Sequence, residues 1–186
     1  MPIVALDFET PSQRRSSAYA VGLVVFDRCG IRYEWFSWLV PPESGDASAV
    51  TFLDHSGGQV IVPTPTVRRL AHTLWPILNG ATIASHTTYD ETVVNAISKE
   101  AAIPPPDVTW IDSCKVARQV WSDLPNYRLT TVCKFLNYRF CHHHPLEDAR
   151  ACSHIMRAAM HVTGWDCNAL RGAFGKRRRR GGRAML

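Results

Sequence analysis

No stretch of this 186-residue chain approaches the roughly eighteen uninterrupted apolar residues of a membrane span, so no membrane partner is expected. Paired cysteine spacing is missing too. The six cysteines, Cys29, Cys114, Cys133, Cys141, Cys152 and Cys167, fall at irregular intervals, and the chain opens on an apolar, strand-like run rather than a basic segment leading into a signal-type stretch. Both features point to the reducing interior of a cell, a cytoplasmic location. Acidic residues are absent from the last eleven positions, where Lys176, Arg177, Arg178, Arg179, Arg180 and Arg183 gather. These cations outnumber the formal net charge of +5, so residues 1–175 carry a formal −1 and attraction for a polyanion is concentrated at the C-terminus. With 46% hydrophobic residues, the remainder can bury one core without staples. The expected organisation is one domain over residues 1–170 and a basic tail over 171–186, glycine-flanked and self-repelling, without fixed structure in isolation.

Two carboxylates interrupt the first apolar run, Ile3-Val4-Ala5-Leu6-Asp7-Phe8-Glu9-Thr10. Residues two apart on a strand share a face, so Asp7 and Glu9 would stand together beside a hydrophobic core. Like charges held that close repel unless a cation joins them. Clustered carboxylates are ligands for one or two divalent ions, which points to phosphoryl-transfer chemistry. A lone Asp-x-Glu more often lies on the wet face of a strand, but the residues before it are apolar on both alternating faces, which argues for burial.

Ile3 to Phe8, Ala18 to Phe26 and about Ile31 to Val40 read as three antiparallel strands, the last two joined across Asp27-Arg28-Cys29-Gly30. Residues 41–64, rich in Pro, Gly and Ser, read as a long surface loop. Thr64 as N-cap and Pro65 at the first helical position introduce Val67, Leu70, Ala71, Leu74, Trp75 and Leu78 at helical spacing, stopped by Gly80. A short strand at Ala81 to Ala84 follows, then a helix marked by Tyr89, Val93, Ile97 and Ala101 and ended by Pro104-Pro105-Pro106. Val108 to Ile111 reads as a fifth strand. Helices near 113–121 and 129–136 precede a last one from Pro145 to about Val162. Three strands followed by alternating helix and strand predict an α/β fold with a mixed five-stranded sheet. Asp90 then sits at a helix start and Asp148 in the first turn of the last helix, where each could reach a cleft containing Asp7 and Glu9. Singly, either could be an acid that stabilises a helix dipole. His143, five residues before Asp148, could take a proton from an attacking water.

Taken together, these residues resemble the DEDDh (DnaQ-like) family of 3′–5′ exonucleases, within the RNase H-like superfamily. Asp7-Phe8-Glu9-Thr10 is similar to the first family motif, Tyr89-Asp90 to the second, and His143-His144-Pro145-Leu146-Glu147-Asp148-Ala149 to the third; Leu124-Pro125-Asn126-Tyr127-Arg128-Leu129 is also similar. The resemblance covers residues 1–162. It implies an RNase H-like fold, two divalent cations (Mg²⁺ or Mn²⁺), a nucleic-acid partner, DNA or RNA, with a free 3′ end, single-stranded by preference, and stepwise release of nucleoside 5′-monophosphates. By the same resemblance Asp7 bridges both cations, Glu9 and Asp148 complete one site, Asp90 supports the other and His143 is the general base, with Thr10 near the terminal nucleotide. Relatives often carry His-Asn where this chain has Ser85-His86, and an Ile-His-Gly-Ile-like segment where it has Leu53-Asp54-His55-Ser56-Gly57-Gly58. Both elements can shape the nucleotide pocket, and His86 is taken as a substrate-binding candidate.

Three consecutive histidines, His142-His143-His144, invite a zinc reading with Cys133 and Cys141, but seven residues separate those cysteines, unlike a zinc knuckle. His143 has the family spacing to Asp148, while His144 precedes Pro145 at a cap position. The six tryptophans are expected in the core. The basic run Lys176, Arg177, Arg178, Arg179 and Arg180 could grip phosphates, stay solvated or act as a localisation signal. Two further readings stand beside the nuclease: a catalytically silent nucleic-acid-binding module of the same fold, and an accessory subunit acting through a partner protein.

Overall fold

The computed structural model describes residues 1–11, 14–40, 49–53 and 59–177. Its centre is β1 (Ile3–Glu9), whose first four residues are buried on both faces. β2 (Ala20–Phe26) pairs antiparallel with β1, and β3 (Ile31–Trp38) pairs antiparallel with β2 as the more exposed edge. The helix α1 (Val67–Leu78) then leads to β6 (Thr82–Ser85), which lies parallel to β1; α2 (Tyr89–Glu100) leads to β7 (Thr109–Asp112), parallel to β6. Two strands, β4 (Ala49–Leu53) and β5 (Gln59–Pro63), form a separate antiparallel pair within the segment expected to be a loop. Glycine and proline density concealed that hairpin, because its strands are only five residues long.

The remaining elements are α3 (Ser113–Val120), α4 (Leu129–Phe135), α5 (Pro145–Thr163), α6 (Cys167–Phe174) and β8 (Lys176–Arg177). The main sheet runs β3-β2-β1-β6-β7-β8, six strands rather than five, because β8 turns back antiparallel onto β7. Asp166 caps α6 by accepting from Ala169 N at 2.7 Å, so the folded body continues through residue 177 and the boundary expected at 170 falls inside a helix. Thr66 caps α1 by accepting from Arg69 N at 3.2 Å, two residues later than expected. Among the described residues, no helix is long and apolar enough to cross a membrane.

The pleat of β1 divides the core in two. Val4, Leu6 and Phe8 face α1 and α2, packing with Val67, Leu70, Trp75, Val93 and Ile97. Ile3 and Ala5 face α5, packing with Val24, Phe26, Cys152, Met156 and Met160. Asp7 and Glu9 continue the second series, which places their side chains on the side of the sheet that α5 covers. The first turn of α5 carries Asp148.

Candidate active site

Contact between α5 and the sheet depends on Gly22, the β2 partner of Asp7 in the strand register. A Cβ at Gly22 would collide with the backbone of Pro145 and Leu146, so only glycine lets the start of α5 lie directly on the sheet. The helix is further tied to the sheet by Arg150, which donates to both Glu34 oxygens on β3, Nε to Oε1 at 2.8 Å and Nη2 to Oε2 at 2.6 Å, and also bonds Glu147. That bidentate pairing holds the Glu34 carboxyl below its ordinary pKa. Pro145 opens the helix, and Gly164 at φ 75° closes it in the left-handed conformation glycine favours.

With α5 seated in this way, ligand oxygens of Asp7, Glu9 and Asp148 all lie within 4.8 Å of one another. Asp148 is 4% exposed. Burial raises the Asp7 carboxyl well above its ordinary value, and the neighbouring Asp90, Asp148 and Glu9 charges push the same way. Burial also raises Glu9, against an opposing pull from His143. Asp90 lies outside that three-carboxylate group. Pairing of β1 with β6 is registered only at Val4 with Ile83 and Ala5 with Ala84, and beyond it the Phe8 N–H donates to Asp90 Oδ1 at 2.9 Å. Asp90 thereby satisfies the end of the central strand, and burial pushes its carboxyl up to about 7.

His143 lies in the turn before α5 with 77% of its side chain exposed, its Nδ1 3.8 Å from Glu9 Oε1 and its backbone N–H donating to Asp148 Oδ2 at 3.1 Å. Its φ of +67° is left-handed, an uncommon state for a residue with a side chain. His144 turns elsewhere: it occupies the cap position without a side-chain cap bond and stacks on Phe36, centroids 5.0 Å apart. His142 was not among the candidates, yet its Nδ1 lies 3.0 and 3.2 Å from the two Asp148 oxygens. Only the histidine run itself hinted at it.

Thr10 Oγ1 is hydrogen-bonded to the Tyr89 hydroxyl, joining the end of β1 to the start of α2 at the rim of this cleft. Arg15 lies over the Tyr89 ring, 4.7 Å from its centroid, and donates to Thr92 Oγ1 at 2.6 Å. Neither Tyr89 nor Arg15 stood out as a rim residue, because their contacts join segments more than seventy residues apart. His86, expected to meet substrate, engages both ring nitrogens internally: Nδ1 lies 2.9 Å from Ser113 Oγ and Nε2 2.8 Å from the Tyr127 carbonyl. Burial lowers its pKa, and it ties the Leu124–Leu129 connection to β6 and α3. Lys176 and Arg177 lie on β8, at the opposite edge of the sheet from β3, with Arg177 Nη2 3.4 Å from Asp107 Oδ2. Arg178, Arg179 and Arg180 lie outside the described residues, as does the 54–58 part of the loop that departs from the family pattern.

No family model matches the chain. Over 122 residues, 64% of the chain, it is 25% identical to DNA polymerase III PolC-type of Caldanaerobacter subterraneus subsp. tengcongensis, and the match spans only 9% of that polymerase's length. The nuclease domain of 3′hExo, a DEDDh family member bound to rAMP, superposes with a TM-score of 0.64 at 12% identity, covering 95% of this chain and 97% of that one. Exonuclease X in complex with 5′-overhanging duplex DNA gives 0.58 at 16% identity, covering 90% and 96%. E. coli Exonuclease I in complex with a dA16 oligonucleotide gives 0.66 at 12% identity over 88% of this chain and 41% of its own length. Such low identities describe the fold, and the fold is the RNase H-like one that DEDDh 3′-exonucleases share, in line with the resemblance read from the motifs.

Proposed function

We propose that this chain is a metal-dependent 3′–5′ exonuclease that removes nucleoside 5′-monophosphates from the 3′ end of a single-stranded nucleic acid, DNA or RNA, in a reducing cellular compartment. The observation that carries the reading is the convergence of Asp7, Glu9 and Asp148 within 4.8 Å on the buried side of a central strand, with Asp90 behind them. Such a cluster is costly on its own, because burial and mutual repulsion raise Asp7, Glu9 and Asp90 together. An all-oxygen donor set of this kind suits hard divalent cations, so the residues fit the two Mg²⁺ or Mn²⁺ ions that the motifs imply. Asp7, Glu9 and Asp148 would hold one cation, and Asp7 with Asp90 the other.

When bound, the cations supply an activated water and charge stabilisation at phosphorus and at the departing oxygen. The protein's own contribution is to place groups around that centre. His143, with an exposed ring but anchored at the backbone by Asp148, would take the proton from the water. Thr10, held by Tyr89, lines the position of the terminal nucleotide. His86 acts one step back, by fixing the backbone at Tyr127 rather than by touching substrate. Lys176 and Arg177, on β8 and remote from the carboxylates, contribute phosphate attraction, to which the arginines that follow in the sequence add charge.

The test is Asp7→Asn, which keeps shape but removes a charge. On 5′-labelled single- and double-stranded DNA and RNA, the wild type should shorten substrates from the 3′ end with Mg²⁺ or Mn²⁺ and not with EDTA. The variant should fall to background while still binding substrate. Near-normal turnover by Asp7→Asn would sink the two-cation assignment. A wild type inactive on every 3′ end would instead favour a silent binding module.

A further inference from the structure

His142 belongs to none of the roles above, yet it makes the closest side-chain contact to Asp148 that any histidine makes among the described residues. Adjacent residues in extended backbone point to opposite sides, but the left-handed φ of +67° at His143 turns two successive rings to one side. They stack with centroids 4.0 Å apart and planes 21° apart, and the edge of Phe140 packs against His142 at 5.7 Å. Ligand atoms of His142, His143 and Asp148 lie within 4.8 Å of one another, and both rings remain open to solvent, 41% and 77% exposed. Backbone strain of this kind is retained where the surroundings over-determine it, commonly at sites with a task.

We propose that His142, His143 and Asp148 form a second metal site, selective for imidazole-seeking divalent ions of the zinc class, whose occupation withdraws Asp148 and His143 from the carboxylate cleft. Two imidazoles and one carboxylate with a solvent-facing fourth position is a donor set that zinc accepts, whereas Mg²⁺ prefers oxygen alone. Bonds of about 2.0–2.2 Å in a tetrahedron place ligand atoms roughly 3.4 Å apart, close to the 3.0–3.2 Å already separating His142 Nδ1 from Asp148. Glu9, whose Oε1 is 3.8 Å from His143 Nδ1, is within reach of the remaining position. Cys133 takes no part: it is fully buried, and burial pushes its thiol up to about 12, the opposite of a metal-ready thiolate. The inhibitory consequence rests on the nuclease reading; the ion binding does not.

Zinc affinity of the full-length chain should be measured without nucleic acid, by competition with a chromophoric chelator, alongside the absorption spectrum of the Co²⁺ form. One ion should bind, and His142→Gln should weaken it by about 10–100-fold or more, at least what loss of a metal's supporting shell costs. His142→Phe, which keeps the packing on Phe140, should do the same with an unchanged melting temperature. Asp7→Asn should leave zinc affinity nearly intact. Equal affinity in wild type and both His142 variants would overturn the site, as would a loss in Asp7→Asn matching theirs. A thiolate-to-cobalt charge-transfer band would also overturn it, by assigning the ion to cysteine. In Mg²⁺-driven turnover, zinc should inhibit the wild type, and His142→Gln should raise the inhibitory concentration by the same factor as its loss of affinity. Intact zinc binding in a protein that cleaves nothing would defeat the nuclease reading and leave this site standing.

Discussion

At the scale of single residues, strain and charge both concentrate on the same few atoms. His143 holds a left-handed backbone that costs a residue with a side chain about 1–2 kcal/mol. His143→Gly and His143→Ala should therefore lose the same turnover, about 10²–10⁴-fold if the imidazole is the base. They should differ in stability, with the glycine variant melting about 2–4 °C higher per kcal/mol of strain relieved. Equal melting temperatures would mean the turn before α5 relaxes once the ring is gone. Asp90 makes a second residue-scale case. Its folded-state carboxyl is raised to about 7 from an ordinary value of 3.8, so between those pH values the native state holds a proton that the unfolded chain has released. Stability then falls as pH rises through that window. In EDTA, the melting temperature should drop from pH 5 to pH 8, and Asp90→Asn, still able to accept from Phe8 N, should flatten the drop. A metal-free melting temperature that climbs over the same range would refute the coupling.

Among the elements, α5 decides whether a site exists, because Asp148 reaches Asp7 only if the helix lies against β2. Gly22→Ala should force the helix outward, costing about 1–3 kcal/mol of stability as overpacking does. Displacement of Asp148 by even 1 Å should reduce turnover by about 10²-fold, well beyond what the stability loss explains at temperatures below melting. Normal activity in Gly22→Ala would show that the sheet and helix adjust around the methyl. The acids of β1 and the start of α5 were legible in the sequence because each sits in a local pattern: an apolar strand interrupted at two alternate positions, and a proline opening an amphipathic run. Gly22, the Arg150 clamp on Glu34 and the Thr10–Tyr89 bond were not legible, since each joins segments far apart in the chain and has no local periodicity to betray it. The β4–β5 hairpin and α6 were missed for a different reason. Both are short, and their glycine-, serine- and proline-rich or basic flanks dominate any window that contains them.

Across the whole molecule, the carboxylates and the described start of the basic run, Lys176 and Arg177, lie at opposite ends of one sheet. β8 pairs antiparallel with β7, Trp110 with Lys176 and then Thr109 with Arg177, so at Arg177 the chain heads toward the end of the sheet where β1 begins, away from Asp7 and Glu9. It also stands three strands from β1, which at about 4.8 Å per strand adds roughly 14 Å across the sheet. The basic run thus starts from an anchor remote from the carboxylates, and under the nuclease reading its charge should serve the binding of long substrates rather than the reacting phosphodiester. Deleting residues 178–186 removes Arg178, Arg179, Arg180 and Arg183 while keeping β8. For long single strands, the slope of log K against log salt should flatten by up to about 3, four cations at roughly 0.7 each, and affinity at low salt should fall accordingly. Hydrolysis of a dinucleotide should be unchanged, because one phosphodiester held at Asp7 leaves nothing for the tail to grip. A dinucleotide rate that drops with the deletion would place the tail at the cleft instead, and an unchanged salt slope on long strands would remove it from substrate binding altogether.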